Sequence, residues 1–319
     1  MKVLVTGGAG FIGSNVVDQL VGLENQVVVV DNFETGRREF LAHLEGNSQV
    51  EIASRDLLDE NALDSLLEGV DAVVHLAANA DVRFGWNQPR RDFEQNVLVT
   101  QNVLESMRQH DVRKIVFSST GSVYGEAKVV PTPENCPFPI QTSLYGASKA
   151  AAEGIICAYS ESGFIDATIF RFVSILGPRY THGHVIDFVA KLHKNPKELA
   201  VLGDGTQQKS YLHVSDCVRA ITDQLKSRAP LEIFNLGTDE SCTVKDSVGW
   251  ITSRLGLEPE VIYSGGKQGW IGDNPLIHLD AQQIRSTGWS PRYAIQESIE
   301  QTVDWISANP WVLSLAVTQ

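Results

Sequence analysis

Tyr145-Gly146-Ala147-Ser148-Lys149 puts a phenol and an amine four residues apart, so on a helix the two side chains share one face. A free phenol ionises near pH 10 and is a poor base at neutral pH. A lysine cation beside it stabilises the phenolate and brings proton transfer within reach. Alone, the Tyr-x-x-x-Lys spacing equally describes an exposed helical pair. The segment Phe117-Ser118-Ser119-Thr120-Gly121-Ser122-Val123-Tyr124-Gly125 shifts the balance. It falls at the carboxyl end of an expected parallel strand, the edge where open α/β sheets bind ligands. Its hydroxyls can bridge a substrate alcohol to Tyr145.

A second constellation opens the chain. Gly7, Gly10 and Gly13, in Gly7-Gly8-Ala9-Gly10-Phe11-Ile12-Gly13, follow the first strand and open the first helix with GxxGxxG spacing. The first glycine permits a tight turn, the second lets the backbone approach a pyrophosphate, and the third allows close helix–strand packing. Glycines also mark any tight strand-to-helix turn, so a second feature is needed. About 20 residues on, Asp31 ends the second strand, where a carboxylate accepts from the ribose of NAD and repels a 2′-phosphate. Arg37 and Arg38 weigh the other way, and the plain alternative for Asp31 is a turn residue. With both features in register, the chain reads as binding a dinucleotide, NAD rather than NADP.

The elements that must carry these residues alternate. Strand patterns at Val3–Thr6, Gln26–Asp31, Val50–Ala53, Ala72–Leu76 and Lys114–Ser118 are interleaved with helical patterns at Phe11–Val21, Glu60–Glu68 and Gln95–Gln109. A long helix over Ser143–Ser162 and a strand over Ala167–Phe172 follow. This is the pattern of a parallel sheet with helices on both faces. Beyond Gly177-Pro178 the pieces are shorter and rich in Gly, Pro and Asn, as in a smaller domain closing over a ligand.

The chain has 319 residues, 43% of them hydrophobic, enough for a large core and too many for a disordered chain. With 26 Lys+Arg against 39 Asp+Glu the net charge is −13, which argues against nucleic acid and anionic membranes as partners. No apolar stretch reaches membrane-spanning length, and the N-terminus lacks the apolar core of a signal peptide. Cys136, Cys157, Cys217 and Cys242 form no CxxC pair, consistent with a reducing, cytoplasmic setting. His75, His182, His184 and His213 invite a metal hypothesis, but none has partners at ligand spacing, so no metal is expected. Most of the six tryptophans read as packing, with Trp270 and Trp86 the ones to place near ligand.

Taken together the motifs resemble the extended short-chain dehydrogenase/reductase superfamily, and within it the nucleotide-sugar epimerases. The resemblance covers nearly the whole chain: Thr6–Gly13, Val30-Asp31-Asn32, Asp56-Leu57, His75–Ala78, Asn96, Phe117–Gly125, Tyr145–Lys149, Arg171–Pro178, Leu202–Asp216 and Gly272-Asp273. It implies an α/β, Rossmann-type doubly wound sheet over 1–172, completed by about 207–238. A smaller nucleotide-sugar-binding domain is then expected from 173–206 and 239–319. It further implies that Gly7, Gly10, Phe11, Ile12 and Gly13 cradle the NAD pyrophosphate. Asp31, Asn32 and Thr35 would hold the adenosine ribose region, Asp56 and Leu57 would flank adenine, and Leu76, Ala77 and Ala78 would line the groove. Asn96, Ser118 and Phe172 surround the remainder, while Lys149 also holds the nicotinamide ribose. Tyr145 matches the family's acid/base and Thr120 its Ser/Thr position. Helices Gln95–Gln109 and Ser143–Ser162 would pair across a twofold axis into a four-helix bundle, giving a homodimer.

The implied reaction uses NAD as a transient oxidant at the sugar 4-hydroxyl, followed by return of hydrogen to the other face. Related dehydratases place Asp-Glu after the catalytic Thr, and decarboxylases carry Glu in that area. Here Gly121 and Ser122 follow, neither usefully titratable. The expectation is therefore 4-epimerisation of a UDP-hexose, with N-acetylglucosamine and glucuronate forms as alternatives and a lyase or a non-catalytic NAD-binding regulator as rivals. Ser122, Ser174, Leu202, Lys209, Tyr211 and Asp273 match substrate positions. Three depart from the family: Lys209 stands for the usual Arg and lacks its bidentate fork, Ser174 stands for a frequent Asn, and Trp270 stands for a phosphate-binding Arg. Lys267, Arg179 or Lys209 would compensate.

Overall fold

Val3, Leu4, Val5 and Thr6 are all fully buried, as a strand is when helices cover both faces of its sheet. They form β1 (Lys2–Thr6) in the computed structural model of the chain, which describes residues 1–80, 87–136, 140–266 and 276–316. β2 (Gln26–Asp31) and β3 (Val50–Ser54) add on one side of β1. On the other side lie β4 (Ala72–His75), β5 (Lys114–Thr120) and β6 (Asp166–Phe172). These pairings are all parallel, and the strand Leu231–Leu236 completes a seven-stranded sheet beside β6. The chain order reverses direction between β1 and β4, so the switch point, where such sheets bind ligands, lies above that pair.

Helix α1 (Phe11–Gly22) returns the chain from β1 to β2. The expected helix Gln95–Gln109 is longer and irregular: α2 (Pro89–Asp92), a π-helical stretch Phe93–Leu98 and α3 (Val99–Gln109) run on continuously. The extra residue per turn of such a π segment re-aims side chains and is frequent at functional sites. Helix α4 (Leu144–Glu161) starts where the Ser143 hydroxyl accepts from the Gly146 amide at 3.0 Å. Val103 and Met107 of α3 and Ile156 of α4 pack with Leu4, Val28, Val73, Ile115 and Ile169 in one core cluster.

The expected helix Glu60–Glu68 is absent; the stretch is a series of turns. Its backbone bonds mostly join residues three apart, as in Ala62 to Asp59 and Leu66 to Leu63. The side chains of Asp56 and Asp59 accept from the amides of Leu58 and Asn61, the local competition that disfavours helix. Ala62, Leu63, Leu66 and Leu67 are nevertheless buried, which accounts for the helix-like apolar spacing.

The chain divides into two compact units. The first comprises Met1–Lys128, Glu134–Phe172 and Val218–Asn235; the second comprises Val129–Pro133, Val173–Cys217 and Leu236–Gln319. Residues 207–217 thus group with the second unit rather than with the large sheet. Within the second unit Tyr211–His213 pairs in parallel with Ser174–Leu176, an association that holds this stretch there. Its helices include His184–Lys194, Val244–Leu255 and Ile295–Ala308. Val244–Leu255 opens with a reciprocal Thr243–Asp246 capping box and closes at Gly256, φ +66°. Among the described residues no helix is long and apolar enough to cross a membrane.

Candidate active site

The expected cofactor residues of the first unit all sit at or just beyond the carboxyl ends of its parallel strands or on the helices that follow. Gly7 takes φ +66°, and a Cβ there would stand 2.7 Å from the Ala77 nitrogen. The loop after β1 and the loop after β4 therefore touch through bare backbone. A Cβ on Gly13 would lie 2.1 Å from the Gly7 carbonyl oxygen, so α1 can approach its own loop only with glycine there. The first intrahelical bond runs from Ser14 to Gly10, and no side chain caps the helix. Its amino-terminal amides and dipole thus face the loop, the arrangement that suits a phosphate.

Asp31, 8% exposed, accepts from the Ala9 amide at 3.0 Å and the Phe33 amide at 2.8 Å. A Cβ on Gly36 would fall within 2.6 Å of this carboxylate. Burial raises its pKa and the two amides oppose that rise. The carboxylate is thus fixed in place beside the glycine loop with acceptor capacity left over. Asn32 and Thr35 are exposed beyond it, and Asp56 is exposed after β3 beside buried Leu57. Leu76, Ala77 and Ala78 are half-buried after β4, with the Leu76 and Ala77 amides donating to the Thr6 hydroxyl. A bare-backbone cradle at a helix start, with an anchored carboxylate at the next strand end, fits a dinucleotide. Phe172 is buried and stacks on Phe170 at 6.2 Å, so packing accounts for much of its surface.

His75 is fully buried between two threonines, Nδ1 to Thr6 Oγ1 at 2.7 Å and Nε2 to Thr100 Oγ1 at 3.1 Å. Thr100 donates to the Asn96 carbonyl, and Thr6 accepts from two amides. The ring is therefore neutral with its proton on Nε2. Burial and the nearby Lys149 charge hold its pKa down to about 3. Asn96, placed by the π-helical stretch, accepts from the Asn79 amide at 2.9 Å and donates to Ser148 at 2.8 Å. Ser148 in turn donates to the Tyr145 carbonyl.

The structure brings Thr120, Tyr145 and Lys149 together. Thr120, at the end of β5, stands close enough to the Tyr145 phenol for its hydroxyl to favour the phenolate, and that hydroxyl reaches Ser122 at 3.2 Å. Lys149 is 2% exposed, donates to the Ser118 carbonyl at 2.8 Å and lies 4.6 Å from the centre of the Phe117 ring. The electrostatics differ from the expectation of a lowered phenol. Desolvation pushes Tyr145 up to about 12, with the Thr120 hydroxyl opposing and the Asp92 charge reinforcing the rise. Lys149 is pulled down to about 7 by burial, with Glu153 opposing. The protein alone thus holds a phenol, and an added positive charge is needed to make it a base.

Ser174, Leu202, Lys209 and Tyr211 all lie in the second unit. Ser174 is exposed, and Leu202 is 57% exposed in a glycine-bearing loop. The Tyr211 hydroxyl lies 3.4 Å from His184 Nδ1, whose other nitrogen lies 2.7 Å from Ser247. Burial first and then the Lys209 charge lower His184 to about 4. Trp86, Lys267, Trp270, Gly272 and Asp273 lie outside the described residues. Sequence reasoning missed Glu153, Asn79 and Asp92. For Glu153 a signal existed: it follows Tyr145 and Lys149 at the same four-residue interval.

The family model of the "NAD dependent epimerase/dehydratase family" matches residues 3–237. A UDP-glucose 4-epimerase of Mycolicibacterium smegmatis is 31% identical, covering 96% of this chain and 98% of that protein. A solved UDP-galactose 4-epimerase is 38% identical with a TM-score of 0.87, covering 98% of this chain and all of that one. A dTDP-glucose 4,6-dehydratase of Streptomyces venezuelae, solved with NAD bound, is 29% identical with a TM-score of 0.89, covering 99% of this chain and all of that one.

Proposed function

The chain belongs to the NAD dependent epimerase/dehydratase family, and from that premise we propose that it is an NAD-dependent isomerase inverting C4 of a UDP-hexose of the glucose/galactose type. The observation that carries this choice within the family is the convergence of Thr120, at the end of β5, on Tyr145, with Lys149 one turn along α4 donating to the Ser118 carbonyl of that same strand end. Gly121 and Ser122 come next, offering no carboxyl group for elimination.

In this reading Gly7, Gly10 and Gly13 leave backbone and helix dipole for the pyrophosphate, and Asp31 takes the adenosine ribose hydroxyls. NAD, when bound, supplies a reversible two-electron acceptor and a cationic ring. Tyr145 Oη holds and returns the proton of the sugar 4-hydroxyl, and Thr120 Oγ1 steadies that oxygen and the phenol together. Lys149 Nζ contributes positive charge beside them and binds the cofactor's ribose. Ser122 offers a hydroxyl on the substrate side. Ser174, Leu202, Lys209, Tyr211 and Asp273 are assigned to the nucleotide and sugar.

The assembly assigned to the protein is a homodimer built on α3 and α4, in the cytoplasm. Tyr159 and Gln101 join the two helices at 2.8 Å. Phe93 and Leu98, just before α3, remain 57% and 38% exposed, as an apolar contact surface requires. Its mass in solution tests the dimer.

The test of function is proton NMR of the purified protein with UDP-glucose, UDP-N-acetylglucosamine and UDP-glucuronate in separate samples. A new anomeric signal from a 4-epimer is expected and identifies the sugar. Silence in all three, with NAD shown to be bound, overturns the proposal.

A further inference from the structure

Beneath the Tyr145–Lys149 pair lies a buried polar cluster to which the reaction above gives no part. Glu153 is 6% exposed and follows Lys149 by one helical turn and Tyr145 by two, on one face of α4. Its carboxylate accepts from the Ser119 hydroxyl. It also accepts from Arg171, through Nε at 3.1 and 3.2 Å and Nη2 at 2.7 Å. Arg171 stands on β6 directly opposite Ser119 of β5. Its Nη1 donates to the Tyr124 hydroxyl at 2.7 Å and to the Glu134 carbonyl at 3.0 Å. The Tyr124 hydroxyl donates to Asn235 at 2.8 Å.

One carboxylate therefore joins α4, β5 and β6 by side-chain bonds. The residue it holds on β5, Ser119, stands between Ser118, whose carbonyl takes the Lys149 ammonium, and Thr120, whose hydroxyl acts on the phenol. Resting on the function proposed above, we propose that Glu153 is a positioning residue: it locks the helix bearing Tyr145 and Lys149 to the strand end bearing Ser118 and Thr120, and supplies the counter-charge to Lys149.

The surroundings of Lys149 show why a counter-charge matters. From β4 neutral His75 feels its charge, from β5 the Phe117 ring faces it, and its own helix carries the neutral phenol of Tyr145 one turn before it and Glu153 one turn after. Arg171 of β6 lies behind Glu153, and the charge of Asp92 acts on Tyr145. Glu153 is the anion that opposes loss of the Lys149 proton. Without it, burial and the remaining Arg171 cation both favour the neutral amine.

The test follows the ionisation of Lys149 in the purified holoprotein, by NMR of biosynthetically labelled lysine Cε, with Lys149→Met assigning the signal. In Glu153→Gln the Lys149 midpoint is expected to fall by about one pH unit or more. The alkaline decline of kcat should move to lower pH with it. The double variant Glu153→Gln/Arg171→Met strands no charge and keeps the test open should the single variant fold poorly; its midpoint is expected to fall as well. A purely structural role predicts the opposite, because loosening the cluster admits water and lifts Lys149 toward its ordinary value. A midpoint unchanged or raised in either variant overturns the proposal. Failure of the wild type to epimerise any UDP-hexose overturns the function instead, since the lysine titration needs no substrate.

Discussion

Acid should undo this fold through His75, and the size of the effect can be worked out. The ring is neutral, fully buried and hydrogen-bonded on both nitrogens, with a pKa of about 3 against the ordinary 6.5. The folded-state pKa lies below the unfolded one, so the unfolded chain binds the extra proton. The stability contribution is complete above pH 6.5 and is lost as pH falls toward 3. Three and a half units at about 1.36 kcal/mol each make ~5 kcal/mol, of which about 3 kcal/mol is gone by pH 4. That rivals the whole stability of a typical domain. His184 and His213, also shifted down, titrate in the same window, so the wild-type slope alone does not isolate His75. Lys149, pulled down to about 7, regains its proton only at the upper end of that range and does so in both proteins, so it does not separate their slopes. The assay is the urea midpoint of wild type and His75→Gln from pH 7 to pH 4. The variant, though less stable throughout, should lose about 3 kcal/mol less over that range. Equal acid slopes in the two proteins would refute the reasoning.

Three further outcomes follow from the site. Tyr145→Phe should lower turnover by roughly 10²–10⁴-fold with NAD still bound; wild-type turnover in this variant would remove Tyr145 from the chemistry. Gly13→Ala meets the Gly7 carbonyl oxygen and the Gly8 Cα, both backbone, and should cost at least about 1–3 kcal/mol in thermal unfolding. Gly22→Ala, with open space around it, should be nearly neutral in the same experiment. Asp31→Ala should weaken NAD by about 10–100-fold, as loss of charged hydrogen bonds does, while raising NADP affinity relative to NAD, read by titration calorimetry.

The sheet was legible because its strands are buried on both faces and so read as unbroken apolar runs, Val3–Val5 and Val27–Val30 above all. The glycine loop, Asp31 and the Tyr145–Lys149 spacing were legible because each rests on local geometry. The turns at 57–70 were not, since their apolar spacing matches a helix while Asp56 and Asp59 divert the backbone. Nor was the π-helical stretch at Phe93–Leu98, which the helical pattern spans without a break. The Glu153–Arg171 cluster was hidden because its partners lie on three elements and meet only in the folded sheet. The raised phenol of Tyr145 escaped for a related reason: spacing conveys that a lysine is near, but not how dry the site is.

The most direct test of the account is the reaction of UDP-glucose in D2O, followed by proton NMR. Inversion by reversible oxidation at C4, with no acid/base pair for elimination, should give the 4-epimer with the H4 and H5 signals intact. A 4-keto-6-deoxy product, or replacement of H5 by deuterium, would contradict it.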